Sequence, residues 1–189
     1  MLEVELKFRR REPDRLLERL AELGARDDGS VRQTDAYFNH PARDFGLTGE
    51  TVRVRETAGR AALTYKGPLV DGETKTRRET EIDLAGPTAG ERMVDWLEAV
   101  GFRPVRTVEK LRHTWTLVRC DRTVEIALDD VVGLGRFVEL ETLADDRDFP
   151  AARGLLLALA AELELTAAER RGYLTMLLAR AAAPAEPAP

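Results

Sequence analysis

The chain has 189 residues, 43% hydrophobic and 33% charged, which is enough for one core-bearing domain and cramped for two. Its net charge of −5 argues against a nucleic-acid backbone as main partner, and its one cysteine, Cys120, excludes an internal disulfide. The longest apolar run, Leu155 to Ala161, is too short to span a membrane, and the first residues carry no signal-like basic and apolar segments, so a cytoplasmic location is expected.

Alternation and β-branched content predict a first strand over 2–9. A helix over 13–23 follows, with Pro13 in its first turn, Leu16, Leu17, Leu20 and Leu23 on one side, and Gly24 as its stop. Strands are expected at 30–39, 51–56, 61–67 and 76–83. A helix over 88–100 opens with a Thr88–Glu91 capping box ahead of Met93, Trp96, Leu97 and Val100. Three more strands, 105–118, 122–129 and 136–143, precede a helical pair at 150–164 and 167–180, the second opened by Thr166 and Glu169. Residues 1–180 read as a single domain and 181–189 as a flexible tail. Trp96 and Trp115 are expected in the core.

The polar face of these strands is almost wholly charged. Glu3, Glu5 and Lys7 share one face, and Val4, Leu6 and Phe8 the other. Arg53 and Arg55 alternate with Val52 and Val54, and Lys66 lies opposite Leu63 and Tyr65. Arg77, Glu79 and Glu81 form one row, Lys110 and Arg112 another. Glu125 and Asp129 oppose Val124, Ile126 and Leu128, and Glu139 and Glu141 alternate with Val138 and Leu140. Two architectures accommodate this pattern. A sheet could turn its charged face to water, or eight strands could close into a barrel with the apolar face outward under helices and the charges lining a lumen. The near absence of Ser, Asn and Gln from these rows favours the barrel. Buried ions are costly and are tolerated mainly where a ligand uses them. The expected class is α+β, an eight-stranded antiparallel β-barrel with a charged lumen and helices packed outside.

In such a lumen, the carboxylates of a Glu-x-Glu pair lie about 6–7 Å apart on one strand face, within reach of a shared cation. Oxygen donors without a His or Cys cluster suit Mg²⁺ or Mn²⁺ rather than zinc. Guanidinium and ammonium groups in the same space suit a polyanion, since guanidiniums grip phosphate oxygens in pairs. Together they describe a metal–triphosphate site; mutual neutralisation by internal salt bridges is the alternative. Only four of the 29 basic residues are lysine (Lys7, Lys66, Lys75, Lys110), which singles those four out. No phosphate-binding G-x-x-x-x-G-K-[ST] loop occurs, and Gly133-Leu134-Gly135 reads as a tight turn. Ser30, the only serine, Cys120, His40 and His113 read as bystanders to the chemistry.

The motif set resembles one family. Glu3-Val4-Glu5-Leu6-Lys7 is similar to the E-x-E-x-K signature of the CYTH, or triphosphate tunnel metalloenzyme, superfamily. T-D-A-Y-F (34–38), V-R-V-R-E (52–56), L-T-Y-K-G-P (63–68), R-R-E-T-E (77–81), V-E-K-L-R (108–112), A-L-D-D-V (127–131) and G-L-G-R-F-V-E-L-E (133–141) follow in order. The set most resembles the class IV adenylate cyclase branch; thiamine triphosphatases and inorganic triphosphatases share the same tunnel. The resemblance implies metal binding by Glu3, Glu5 and Glu139, with Asp129 and Glu141 as further ligands. It implies phosphate binding by Lys7, Arg53, Arg55, Lys66, Lys110 and Arg112. Arg77 joins them, with Arg78 beside it leaving the register of that row open. Tyr37 and Lys66 match a pair that activates water in thiamine triphosphatase-like members, a role that asks for a lowered lysine pKa from neighbouring cations. The cofactor is then Mg²⁺ or Mn²⁺ and the partner a small-molecule triphosphate: ATP, tripolyphosphate or thiamine triphosphate. No nucleic-acid or membrane partner is implied, and a homodimer is left open. The reaction is either cyclisation of ATP to cAMP and pyrophosphate or hydrolysis of a terminal phosphate. A non-catalytic polyphosphate-binding module is the rival class.

Overall fold

Eight antiparallel strands close on themselves: β1 (Leu2–Arg9), β2 (Arg26–Asn39), β3 (Thr51–Thr57), β4 (Arg60–Lys66), β5 (Arg77–Leu84), β6 (Arg103–Arg119), β7 (Arg122–Val131) and β8 (Gly135–Ala144). Around the barrel they run β1-β5-β4-β3-β2-β6-β7-β8. Five helices accompany them among the described residues: α1 (Leu16–Glu22), α2 (Phe45–Thr48), α3 (Ala89–Ala99), α4 (Phe149–Glu162) and α5 (Tyr173–Ala182). The structure is a computed structural model that describes residues 1–10, 15–71 and 74–182. Among them no helix is long and apolar enough to cross a membrane.

Period-two alternation decides which side of the wall each residue takes. Val4, Leu6 and Phe8 point outward with Ile126, Val138 and Leu140, packing beneath Leu16 and Leu20 of α1 and Leu156 and Leu159 of α4. Each large aliphatic side chain buried this way contributes about 1.5–3 kcal/mol. α3 covers the opposite wall, with Leu97 among Phe38, Val52 and Val54. Gly90 permits that approach: a Cβ there would collide with the Glu56 carboxylate and crowd the Ala61 methyl at 3.2 Å. Closure is uneven. β1 pairs with β8 from Leu2↔Ala144 to Arg9↔Phe137, but meets β5 only at Leu2↔Arg78 and Glu3↔Arg77. Beyond that point the loop before β5 lies along β1, and the Lys75 N–H donates to the Glu5 carbonyl at 2.9 Å.

Several boundaries differ from the sequence expectation. β2 starts four residues early because an irregularity between Asp27 and Gly29 carries its pairing with β6 onward. α5 begins at Tyr173 instead of 167, and Thr166 and Glu169 do not open it. Ala168 bridges to Phe8, and the Glu169 N–H donates to the Lys7 carbonyl, so this segment serves as an extended strap along β1. Thr88 precedes α3 without a side-chain cap. Trp96 is 55% exposed, not core: α3 turns Leu97, Met93 and Val94 to the barrel, and Trp96 lies off that arc. Trp115 does pack against the main cluster, half-buried. Leu17 of α1 is exposed. The expected turn at Pro13 and the tail over 183–189 lie outside the described residues; Ala181 and Ala182 end α5.

Candidate active site: a charged tunnel

The barrel encloses a cavity of about 910 Å³, lined by Glu3, Lys7, Arg53, Lys66, Arg112 and Glu139 among others. The charged rows therefore face the lumen and not water. Ladder register sorts them by position along the barrel. Glu3 on β1, Glu79 beside it through Lys66, Glu125 on β7 and Glu141 on β8 lie toward one end. Lys7, Lys75, Lys110 and Tyr37 lie toward the other, where Val108, Val131, Phe137 and Tyr173 pack together beneath α5.

Most of the lumen cations have a carboxylate beside them. Arg112 grips Asp129 with two hydrogen bonds of 2.7 Å and also reaches Glu139. Lys110 stands 3.1 Å from Asp129, and the Tyr173 hydroxyl donates to the same carboxylate at 2.9 Å. Arg55 forks onto Asp35 at 2.6 and 2.7 Å, with Arg53 at 3.4 Å. Lys7 lies 3.0 Å from Glu139 and 3.3 Å from Glu5, which Lys75 also approaches at 2.6 Å. Lys66 sits between Glu3 and Glu79, 2.6 and 2.8 Å away. The Lys7 ammonium also lies 4.2 Å from the centre of the Tyr173 ring.

The two ends differ in proton affinity. Burial, then its hydrogen bond with Glu3, pushes Glu79 up to about 7. Burial and then Glu3 hold Glu141 well above the ordinary carboxylate range. Glu5, Glu141 and Glu125 are in register across three adjacent strands, one acid beside the next. At the other end, burial and the neighbouring Arg112 push Lys110 down to about 7. Burial, against the pull of Glu5, brings Lys75 to about 8. Lys66 goes the other way: burial opposes its charge, but Glu3, with Glu79 and Glu141, holds the ammonium above its usual range. One end is short of positive charge, the other short of negative charge.

Among the described residues no three or more His, Cys, Asp or Glu side chains stand ready to hold a metal ion. The donor chemistry nevertheless fits a hard divalent cation, because Glu3, Glu79 and Glu141 crowd around the single ammonium of Lys66 and all offer carboxylate oxygens. Glu3, Glu5 and Glu139 must first turn from the ammonium and guanidinium groups that they now face.

All the residues singled out in the sequence reach this one space or its wall. Lys7, Arg53, Arg55, Lys66, Arg77, Lys110, Arg112, Tyr37, Glu3, Glu5, Glu139 and Glu141 line the cavity. Asp129 lies sealed behind Arg112, Lys110 and Tyr173, with no exposed side chain. The β5 register is now settled. Arg77 points inward and donates to the Gly49 carbonyl at 2.6 Å, while Arg78 pairs with Asp146 outside. Tyr37 is placed opposite Arg53, one strand removed from Lys66. His113 is outside the lumen, hydrogen-bonded to Ser30 and Asp27.

Sequence reasoning missed three residues. Asp35, two positions before Tyr37 and of the same parity, could have been placed in the lumen from alternation. Lys75 stood out only as the fourth lysine, and it enters from a loop. Tyr173 carried no signal.

A closed eight-stranded barrel with a lumen of paired acids and bases is a triphosphate-tunnel architecture. The CYTH domain model matches residues 1–173, and the chain belongs to the CYTH family. It is 36% identical over 146 residues to a Methanocaldococcus jannaschii protein named as a proposed adenylate cyclase, covering 77% of this chain and 79% of that one. The PH1819 protein of Pyrococcus horikoshii superposes with a TM-score of 0.83 at 35% identity, covering 94% of this chain and 99% of its own. A Hippeastrum protein described as a proposed adenylyl cyclase with dominant triphosphatase activity shares the fold, with a TM-score of 0.65 at 18% identity over 95% of each chain.

Proposed function

We propose that this chain is a metal-dependent enzyme of the cytoplasm that converts ATP to cAMP and pyrophosphate. The observation that carries the reading is that carboxylates and cations line one lumen, with Glu5 and Glu139 lying between the acids around Lys66 and the bases around Lys110. Glu3, Glu5 and Glu139, with Glu141 beside them, would hold Mg²⁺ or Mn²⁺, which supplies charge neutralisation at the phosphates. Asp129, sealed beneath its cations, would act as the counter-ion that keeps Arg112 and Lys110 in place. Lys7, Arg53, Arg55, Arg77, Lys110 and Arg112 would bind the phosphate oxygens and fix the α-phosphorus against the ribose 3′-hydroxyl. That oxygen forms the new bond to the α-phosphorus as its proton passes to solvent water, and the bond to pyrophosphate breaks. Lys66, held charged by Glu3, suits phosphate binding better than proton abstraction.

Hydrolysis of a terminal phosphate from ATP, tripolyphosphate or thiamine triphosphate is the second reading, favoured by a lining that addresses phosphate and metal throughout. The test is product analysis with ATP, tripolyphosphate and thiamine triphosphate in Mg²⁺ or Mn²⁺. cAMP from ATP supports the cyclase. Released orthophosphate without cAMP supports the hydrolase, and no product from any substrate leaves a binding module. Lys66→Arg keeps the charge but cannot serve as a base. The variant should still form cAMP under the first reading, and should nearly eliminate hydrolysis if Lys66 and Tyr37 activate water.

A further inference from the structure

A second cavity, of about 290 Å³, opens beside α5 outside the tunnel. Arg9 at the end of β1, Arg171 on the strap and Arg180 of α5 line it, with Leu134, Met176 and Ala179. Ala179 lines both cavities, so a single helix separates them. Arg9 continues the parity of Glu3, Glu5 and Lys7 past the end of the lumen, and none of the three arginines lines the tunnel cavity.

Among the described residues, three guanidiniums gather here around one carboxylate, Glu169. Arg171 forks onto Glu169, with hydrogen bonds of 2.9 and 2.5 Å. Arg9 forms no ion pair within 4 Å among the described residues, and Glu169, already held by Arg171, is the carboxylate that acts on it. Arg9 reaches the Leu134 carbonyl at 3.4 Å and the Met176 sulfur at 3.8 Å, and its guanidinium lies 4.8 Å from the centre of the Phe137 ring. Arg180 donates to the Gly133 carbonyl and likewise forms no ion pair among the described residues. Neutral acceptors orient these two side chains without cancelling their charge. Stacking on Phe137 and the carbonyl contacts also lower the entropy that the guanidiniums would lose on gripping a ligand. Planar donor forks converging from three segments match the oxygens of a phosphate group.

We propose that this cavity is an exterior site for a phosphate-class anion, orthophosphate or pyrophosphate, bridging Arg9, Arg171 and Arg180. The site shares no cation with the tunnel and does not depend on the reaction proposed there. An anion held here ties α5 to the end of β1. Because α5 also carries Tyr173, whose hydroxyl meets Asp129, occupancy fastens the helix that covers one end of the lumen.

The experiment uses the full chain in EDTA, titrated calorimetrically with pyrophosphate and separately with orthophosphate, with hydrogen exchange of the α5 amides as the second readout. Three proteins are compared: wild type, Arg9→Gln/Arg180→Gln, and the tunnel variant Lys66→Gln. The wild type and the tunnel variant should show slower α5 exchange on adding pyrophosphate. The double variant should lose that protection, with exterior affinity lower by about tenfold or more. Whichever anion gives the protection identifies the ligand. The single variant Arg180→Gln, at an exposed helical position, covers the case in which the double variant folds poorly, and should weaken binding in the same direction. Unchanged binding and unchanged α5 protection in a folded Arg180→Gln or double variant overturns the proposal. Exterior binding that persists in a chain whose tunnel takes no triphosphate separates failure of the tunnel reading from failure of this one.

Discussion

The two walls of the tunnel use the same residue types for opposite purposes. On β2, β3, β6 and β7, Asp35 and Asp129 each face two cations, Arg53 with Arg55 and Arg112 with Lys110, at 2.6–3.4 Å. Around Lys66 at the end of β4 the ratio reverses, with Glu3, Glu79 and Glu141 about one ammonium, while Glu5 and Glu139 each still face two cations. An outnumbered acid becomes a fixed counter-ion for bases that await an anion. An outnumbered base leaves acids, Glu79 and Glu141, whose proton affinity is raised by burial and by Glu3. The neighbours, more than the residue type, decide whether a buried ion is scaffold or ligand.

Breaking the acid-rich wall should have the largest effect. Glu3→Gln should lower metal-dependent turnover by about a thousandfold, some 4 kcal/mol, with thermal unfolding little changed. Full activity in that variant would remove Glu3 from the metal site. The base-rich wall should respond in stability instead. Asp35→Asn strands two buried guanidiniums and should cost about 3 kcal/mol in denaturant unfolding. The same pair sets an acid dependence. Burial opposes the Asp35 charge, but Arg53 and Arg55 hold its pKa below the usual range. Its stabilising share is therefore complete above its unfolded pKa of about 4 and drains away as pH falls toward the folded value. Asp35→Asn should lack that share of the acid slope.

A smaller effect sharpens the contrast without mutation. Tripolyphosphate at 100 times its dissociation constant should stabilise the fold by about 2.7 kcal/mol, since it binds cations that only the folded barrel assembles. A melting temperature insensitive to millimolar tripolyphosphate, with and without Mg²⁺, would count against the tunnel as an anion site. The smallest change is Tyr173→Phe. It removes one hydrogen bond from Asp129 and should cost about 1 kcal/mol while leaving the metal end untouched.

Much of this was legible because strand alternation writes both faces of the wall into the sequence. Val4, Leu6 and Phe8 marked the outside, Glu3, Glu5 and Lys7 the inside, and closure followed from the cost of leaving such rows without a purpose. What alternation could not supply was anything arriving from outside the strands. Lys75 comes from a loop that substitutes for the missing β1–β5 pairing, and Tyr173 comes from a helix whose start is set by the strap contacts of Ala168 and Glu169 with β1. Trp96 was misplaced because a helix of eleven residues packed on a curved wall buries a narrow stripe, and a large apolar residue one step off that stripe stays in water. The pairing of acids with bases also escaped the sequence, since parity gives the face but not the partner across the lumen.

The long ladder between β1 and β8 has a consequence for how the chain matures. The first strand made is the one that needs the last: its eight-pair partner runs from Gly135 to Ala144. During synthesis β1 therefore has to wait as an open edge while the other strands emerge, a delay typical of topologies rich in distant contacts. Glu3 and Glu5 meet Glu139 only when that seam closes. No fragment lacking β8 brings Glu3 and Glu5 against Glu139, so a ligand that needs all three carboxylates can act only on a barrel whose seam has closed.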